Sequence, residues 1–559
     1  MRFPAALCAL CLAFSCASAP PLEAPADLVL YGGAIRTGAP GDPPEAVAVR
    51  DGAIVHVGAL AEARALVGEE TQLIDLRGAS LFPGFVDAHA HLLGIGQREL
   101  TLNLEGSESL AAMLVRVRAR AAAQAPGDVI WGRGWIETHW PEARFPTRAD
   151  LDAVAPDNPV LLVRADGHAL VANSAALARA NITAQTAAPE GGDILHDASG
   201  EPTGMLIDAA MDLVAPLAPR ETPEEIERAL KVGLDVYRAR GWTAIHNMSV
   251  SWAEAEALER LDARGELPLR VYNAVTPENL ERLLAEGVRL SASGRLETRA
   301  VKFYMDGALG SRGAALFAPY ADAPETSGLL QMNREAALPL WERALRNGVQ
   351  IATHAIGDRG NAMVLDWYAA VLAAVPEAER RVRDPRWRIE HAQIVRPADI
   401  ARFADLGVIA SMQPSHAISD LHFAPARLGD ARLDGAYAWR RIAQSGAALA
   451  AGSDAPVEKG DPLIEFYAAI ARRDLDGFQG ANWHAEDAVD RATALRMLTY
   501  WPAYAAFAES ERGVIAEGMR ADLSVFSIDL MTAAPADIPA ARALATIVDG
   551  DIVYRAADW

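Results

Sequence analysis

Between residues 81 and 500, short apolar runs that end in polar residues alternate with stretches of helical period. Such alternation predicts a parallel α/β architecture. Eight runs carry the pattern: Phe85-Val86-Asp87-Ala88, Val160-Leu161-Leu162-Val163, Thr243-Ala244-Ile245-His246, Val301-Lys302-Phe303-Tyr304, Gln350-Ile351-Ala352-Thr353, Trp387-Arg388-Ile389-Glu390, Val408-Ile409-Ala410-Ser411 and Ala448-Leu449-Ala450-Ala451. Eight is the strand number of a (β/α)8, TIM-like barrel, whose functional groups gather at the C-terminal ends of the strands. The longest connections lie between the first and third runs, so an inserted lobe is expected within about 97–240, over the barrel mouth.

A different rhythm marks the two ends. Leu28-Val29-Leu30-Tyr31, Ala46-Val47-Ala48-Val49, Ala53-Ile54-Val55-His56-Val57 and Gln72-Leu73-Ile74-Asp75 are strand-like and broken by glycine turns, and 521–526 and 545–554 repeat the pattern. This predicts a small β-sandwich built from 27–80 plus 505–559, with the barrel, 81–504, inserted between.

Hydrophobic residues make up 51% and charged residues 23% of the 559, a globular balance without the signature of disorder. The net charge of −22 repels phosphate backbones and argues against a nucleic-acid partner. Residues 1–15 combine a basic start with a short apolar run, as a signal peptide does. Ala13-Phe14-Ser15-Cys16 reads as a loose lipobox, and Pro20 disfavours cleavage after Ala19, so a lipid-anchored Cys16 followed by an Ala/Pro tether (16–26) is expected, with plain secretion as the alternative. An exported bacterial protein, periplasmic or membrane-anchored through that lipid alone, follows. All three cysteines lie in this leader, which leaves nitrogen and oxygen as the metal ligands of the body.

His89-Ala90-His91 follows the first run. Strand side chains alternate, so two imidazoles two apart face one way and can grip one ion. Lys302, His354, His391 and Asp454 fall at other run ends. Singly each has a structural explanation: a solvated lysine, core histidines, an Asx turn in Gly452-Ser453-Asp454-Ala455-Pro456. Five run ends carrying His-x-His, Lys, His, His and Asp in order are a different matter.

The set resembles the binuclear class of the amidohydrolase superfamily, amidohydrolase family 3, in the branch of N-substituted formamide deformylase and exoenzyme-regulatory-like hydrolases. The resembling residues are 83–91, Val301-Lys302 with 306–312, 353–358, 388–392, 452–456 and 513–523, which together span nearly all of the body. The resemblance implies that His89, His91 and Asp454 hold one divalent ion and His354 and His391 a second, with Lys302 bridging as a carbamate. An ammonium has no lone pair, so Lys302 can bridge only once carboxylated. Zinc is the expected ion, and manganese, iron or nickel suit the same donors. The implied reaction is attack by a metal-activated hydroxide on a C–N bond (amide, N-formyl or cyclic amide) of a small molecule, with Asp454 moving the proton. An ester or lactone hydrolase on the same site, and a non-catalytic binding lipoprotein, are the competing readings. His168, His416, His246 and Arg312 are candidate substrate contacts, Trp131, Trp135 and Trp140 are candidate pocket walls, and a homodimer is an expected assembly.

Overall fold

The computed structural model describes residues 24–189, 191–218 and 222–559. The expected signal peptide, Cys16 and most of the tether lie outside the described residues; the tether's last residue, Ala26, already begins a strand. No helix among the described residues is long and apolar enough to cross a membrane.

Eight parallel strands form the centre: β1 (Phe85–Ala90), β2 (Trp242–Val250), β3 (Arg270–Val275), β4 (Leu296–Tyr304), β5 (Gln350–Ala355), β6 (Arg388–His391), β7 (Ile409–Met412) and β8 (Leu449–Ala451). They pair in chain order from β1 to β8. Fully buried strands between helices account for their near-continuous apolar runs. The seam is drawn together just past β8, where Asp454 N donates to His89 O at 2.7 Å and His91 N to Ala455 O at 2.8 Å. Gly452 permits this approach, because a Cβ there would lie 2.3 Å from His89 N. The result is a nearly closed TIM-like barrel.

The expected strand count holds, but one member differs. Val160–Arg164 is not a barrel strand; it lies in a six-stranded lobe sheet with Leu102–Asn103, Ile130–Trp135, Ala169–Ala172, Pro202–Asp208 and Gly192–His196. β3, which the run pattern passes over, takes its place. Arg270 opens β3 and is buried because Asp522 and Asp549, from the far end of the chain, neutralise it at 2.6 and 2.5 Å.

At the ends, four strands (Ala26–Tyr31, Ala46–Arg50, Ala53–Gly58, Val67–Asp75) make one sheet. A second sheet mixes both ends: Ser80–Pro83 pairs with Leu523–Phe526, which also pairs with Ala543–Val548. Leu30, Val47, Leu81, Leu523 and Ile547 share one apolar cluster across the two sheets. Trp135 and Trp140 pack inside the lobe core, and Trp131 against its other face; none of the three lines the cavity described below.

Candidate metal centre

The chemistry-bearing side chains meet at the C-terminal mouth of the barrel. His89 lies on β1, Lys302 on β4, His354 on β5, and His391 ends β6; His91 caps the helix Leu92–Leu100 and Asp454 follows β8. One ligand atom each from His89, His391 and Asp454 falls within 4.8 Å of the others. His354 stands beside this group, its ring 4.5 Å from that of His391. The backbone is left-handed at His391 (φ 73°) and Asp454 (φ 58°), conformations that non-glycine residues hold only under constraint and that cluster at functional sites.

The proton positions follow from the partners. His91 Nδ1 faces Met248 O at 3.0 Å, and a carbonyl only accepts, so Nδ1 carries the proton. His89 Nδ1 donates to Glu390 Oε2 at 2.6 Å and His391 Nδ1 to Gln413 Oε1 at 2.8 Å. Each ring therefore turns an unprotonated Nε2 away from these partners. His91 and His89 Nε2 point at Asp454 Oδ1, at 3.1 and 3.5 Å, and that oxygen has no hydrogen-bond donor among the described residues. With these rings neutral, lone pair faces lone pair across the site, an arrangement that a bound cation would satisfy. Nitrogen and oxygen donors of this kind fit a divalent metal ion.

Burial, first, and the nearby Lys302 hold the His89 imidazole down to about 4, so it stays neutral. Burial likewise pushes His354 and His391 well below the usual histidine range. Lys302 is 1% exposed, with Nζ 3.2 Å from His89 Nε2, and burial lowers its ammonium to about 8.

Beneath the mouth runs a buried polar layer to whose members, Arg388 and Glu390, the motif reading gave no role. Glu390 binds His89 and is ion-paired with Arg388, at 2.7 Å from its Nε and 3.0 Å from its Nη2. Arg388 also donates to His246 Nδ1 (2.8 Å), Ser411 Oγ (2.8 Å) and Ala88 O (2.6 Å). The signal was present as two charges, Arg388 and Glu390, alternating with Ile389 in a strand that should be wholly buried.

A cavity of about 770 Å³ opens over the cluster, lined by His91, Lys302, His354, His391 and Asp454 and by the lobe. Of the expected substrate contacts, His168 and His416 line it, and His416 Nε2 lies 3.7 Å from Asp454 Oδ2. The other two expectations are corrected. His246 is held inside the barrel by Arg388 and does not reach the cavity. Arg312 turns outward on a left-handed residue (φ 63°) to Asp322 at 2.9 Å. In its place the lobe contributes Arg133 and Arg164.

A parallel eight-stranded barrel with a buried His/Asp/Lys cluster at its C-terminal mouth defines a class of metal-centred barrel proteins. Within it, the chain belongs to the amidohydrolase family, whose model matches residues 72–554. It is similar to the putative amidohydrolase YtcJ of Bacillus subtilis (34% identity, covering 92% of this chain and 97% of the relative). It is also similar to the N-substituted formamide deformylase of Arthrobacter pascens (30%, covering 95% and 98%). Among solved structures it resembles an uncharacterised metal-dependent hydrolase of Pyrococcus horikoshii, with a TM-score of 0.74 at 28% identity over 91% of this chain and 99% of the other.

Proposed function

We propose that the protein is a metal-dependent hydrolase that uses two divalent ions, zinc by preference, to cleave a C–N bond of a small molecule. The observation that carries this reading is the set of unprotonated His89 and His91 nitrogens turned on Asp454 Oδ1, an oxygen without a donor, at the cavity floor. His89, His91 and Asp454 would hold one ion, His354 and His391 the other, and a carbamylated Lys302 would bridge them. The formamide deformylase relative supports a C–N substrate, and the metal-dependent hydrolase similarity supports the ions.

A bound divalent ion supplies a water acidic enough to ionise near neutral pH and a Lewis acid for the scissile carbonyl. The chain's own residues do the rest. Asp454, pinned by its backbone N–H to His89 O, accepts the proton that the attacking water loses and returns it to the departing nitrogen. Glu390, through Nδ1 of His89, keeps the Nε2 lone pair pointed at the site. His416, beside Asp454 Oδ2, and His168, held by Asp208 at 2.8 Å, face the substrate from the cavity wall. The two end sheets read as a β-sandwich domain supporting the barrel. Export with a lipid on Cys16, a small-molecule substrate, no nucleic-acid partner and homodimer assembly complete the proposal.

Metal analysis of the purified protein, followed by a panel of N-formyl, amide and ester substrates, tests the reading. We expect close to two ions per chain, loss of activity on chelation, and turnover of amides above esters. Asp454→Asn keeps the shape of the site and removes its base, and should reduce kcat by about 100-fold or more. Undiminished turnover by a fully chelated sample overturns the proposal.

A further inference from the structure

The cavity wall contributed by the lobe carries several cations, and all but one are neutralised. Arg164 Nε lies 2.8 Å from Glu137 Oε2, and its Nη1 meets Asp166. His168 donates to Asp208.

Arg133 differs. It stands on Ile130–Trp135 and lines the cavity, yet it makes one hydrogen bond, from Nη2 to Ala165 O at 3.1 Å. Its Nε is buried without a partner, and it forms no ion pair among the described residues. The carboxylate whose charge it feels most, Asp166, is already committed to Arg164 and to the His168 backbone N–H. A guanidinium offers five donors in a planar fork, and a half-buried one without a counter-ion, its Nε already shut off from water, is open to an anionic ligand. Gly167 (φ +75°) leaves room for the fork, since a Cβ there would lie 3.3 Å from Arg133 Nη2.

Arg133 and Asp454 line the same cavity, so one small molecule that spans it can touch both. Leu309, Ile418, Phe423 and Leu475 give the same cavity an apolar side. We propose that Arg133 receives a carboxylate of the substrate, which makes the substrate class small amides or formamides that carry a carboxylate beside an apolar group. N-acyl amino acids are the simplest members. This rests on the hydrolase reading above. Glu458, Asp474 and Asp476, on the same cavity, would instead favour an amine, and that preference is an outcome of the test.

The test measures binding by calorimetry to metal-depleted protein, where turnover cannot intervene. The probes are N-formylleucine, its neutral carboxamide and an analogue with an aminomethyl group in place of the carboxylate. The acid should bind about 10-fold or more tighter than the carboxamide, as a charge-assisted contact implies. Arg133→Met should bring that ratio near one, Arg133→Lys should retain part of it, and Arg312→Met should retain all of it. Equal binding of acid and carboxamide, tighter binding of the cationic analogue, no detectable binding of the acid, or an unchanged ratio in Arg133→Met overturns the assignment. The same probes with metal-loaded protein separate the two readings. Discrimination without turnover sinks the hydrolase reading alone, and turnover without discrimination sinks the Arg133 site alone.

Discussion

Replacing Glu390 by glutamine changes one oxygen for an NH2 group in a place with no solvent to absorb the difference. The carboxylate has two tasks: it accepts from His89 Nδ1 at 2.6 Å, and it neutralises Arg388 at 2.7 and 3.0 Å. All three side chains are fully buried. A glutamine amide with its oxygen in the Oε2 place still accepts from His89 and Arg388 Nη2 but turns its NH2 on Arg388 Nε, and the reverse orientation turns the NH2 on His89 Nδ1; in either orientation Arg388 loses its counter-ion and His89 its charged acceptor. Removing one partner of a buried pair typically costs about 3–5 kcal/mol of stability. Loss of the group that orients a histidine ligand weakens metal affinity by about 10- to 100-fold. Glu390→Gln should therefore lower the thermal midpoint of the metal-free protein and, separately, weaken metal binding by that factor in a competition titration against a chelator of known affinity. Two further variants apportion the effects. In a His89→Ala background Glu390→Gln should change metal affinity little, because the ring it orients is gone, while Arg388→Met combined with Glu390→Gln should recover part of the lost stability. Wild-type metal affinity in Glu390→Gln would refute the claim that this carboxylate aims His89; an undiminished midpoint would refute the claim that it neutralises Arg388.

Lys302→Ala should lose at least one ion and most activity, and Lys302→Glu, which supplies a shorter carboxylate, should restore part of the metal content measured by elemental analysis. Asp522→Asn should destabilise the protein by about 3–5 kcal/mol at neutral pH, since it strips Arg270 of a buried partner at 2.6 Å. Burial raises the Asp522 carboxyl, but Arg270 and the other donors around it bring it below the usual range, so its contribution is present above about pH 4 and is lost as pH falls through that window. The gap between wild-type and mutant unfolding midpoints should accordingly close in acid; a gap that persists unchanged at low pH would contradict the assignment. Intact-mass measurement of protein extracted from membranes should give a chain that begins at a lipid-bearing Cys16, and a soluble species starting beyond Cys16 would refute the anchor.

The barrel was legible because a parallel strand covered on both faces is mostly apolar, and seven of the eight barrel strands carry a run that this rule selects. β3 does not: Arg270, Tyr272 and Asn273 interrupt it, and they are buried only because partners arrive from elsewhere, Asp522 for Arg270, Gln350 for Tyr272 and Thr298 for Asn273. Local pattern carries no trace of such partners. Val160–Arg164 was indistinguishable from a barrel strand by the same logic, since a lobe sheet covered on both sides produces the same run. The cluster at the mouth was legible because its members sit at run ends. Arg312 was misplaced because closeness to a motif in sequence does not fix where a loop turns. Arg133 was missed because it lies in the lobe, where no run-end rule selects it.

The strand Leu523–Phe526 lies between Ser80–Pro83 and Ala543–Val548, and Gly84 N donates to Asp522 O at 2.7 Å immediately before β1 begins. The segment that carries His89 is thus tied to residues made near the end of translation. A chain still on the ribosome, with the barrel's eight strands already emerged, lacks the edge against which its first strand is set. Metal capture should therefore be a late event in the life of each molecule, and nascent chains that stop before Asp522 should reach the cell's quality-control proteases empty of metal.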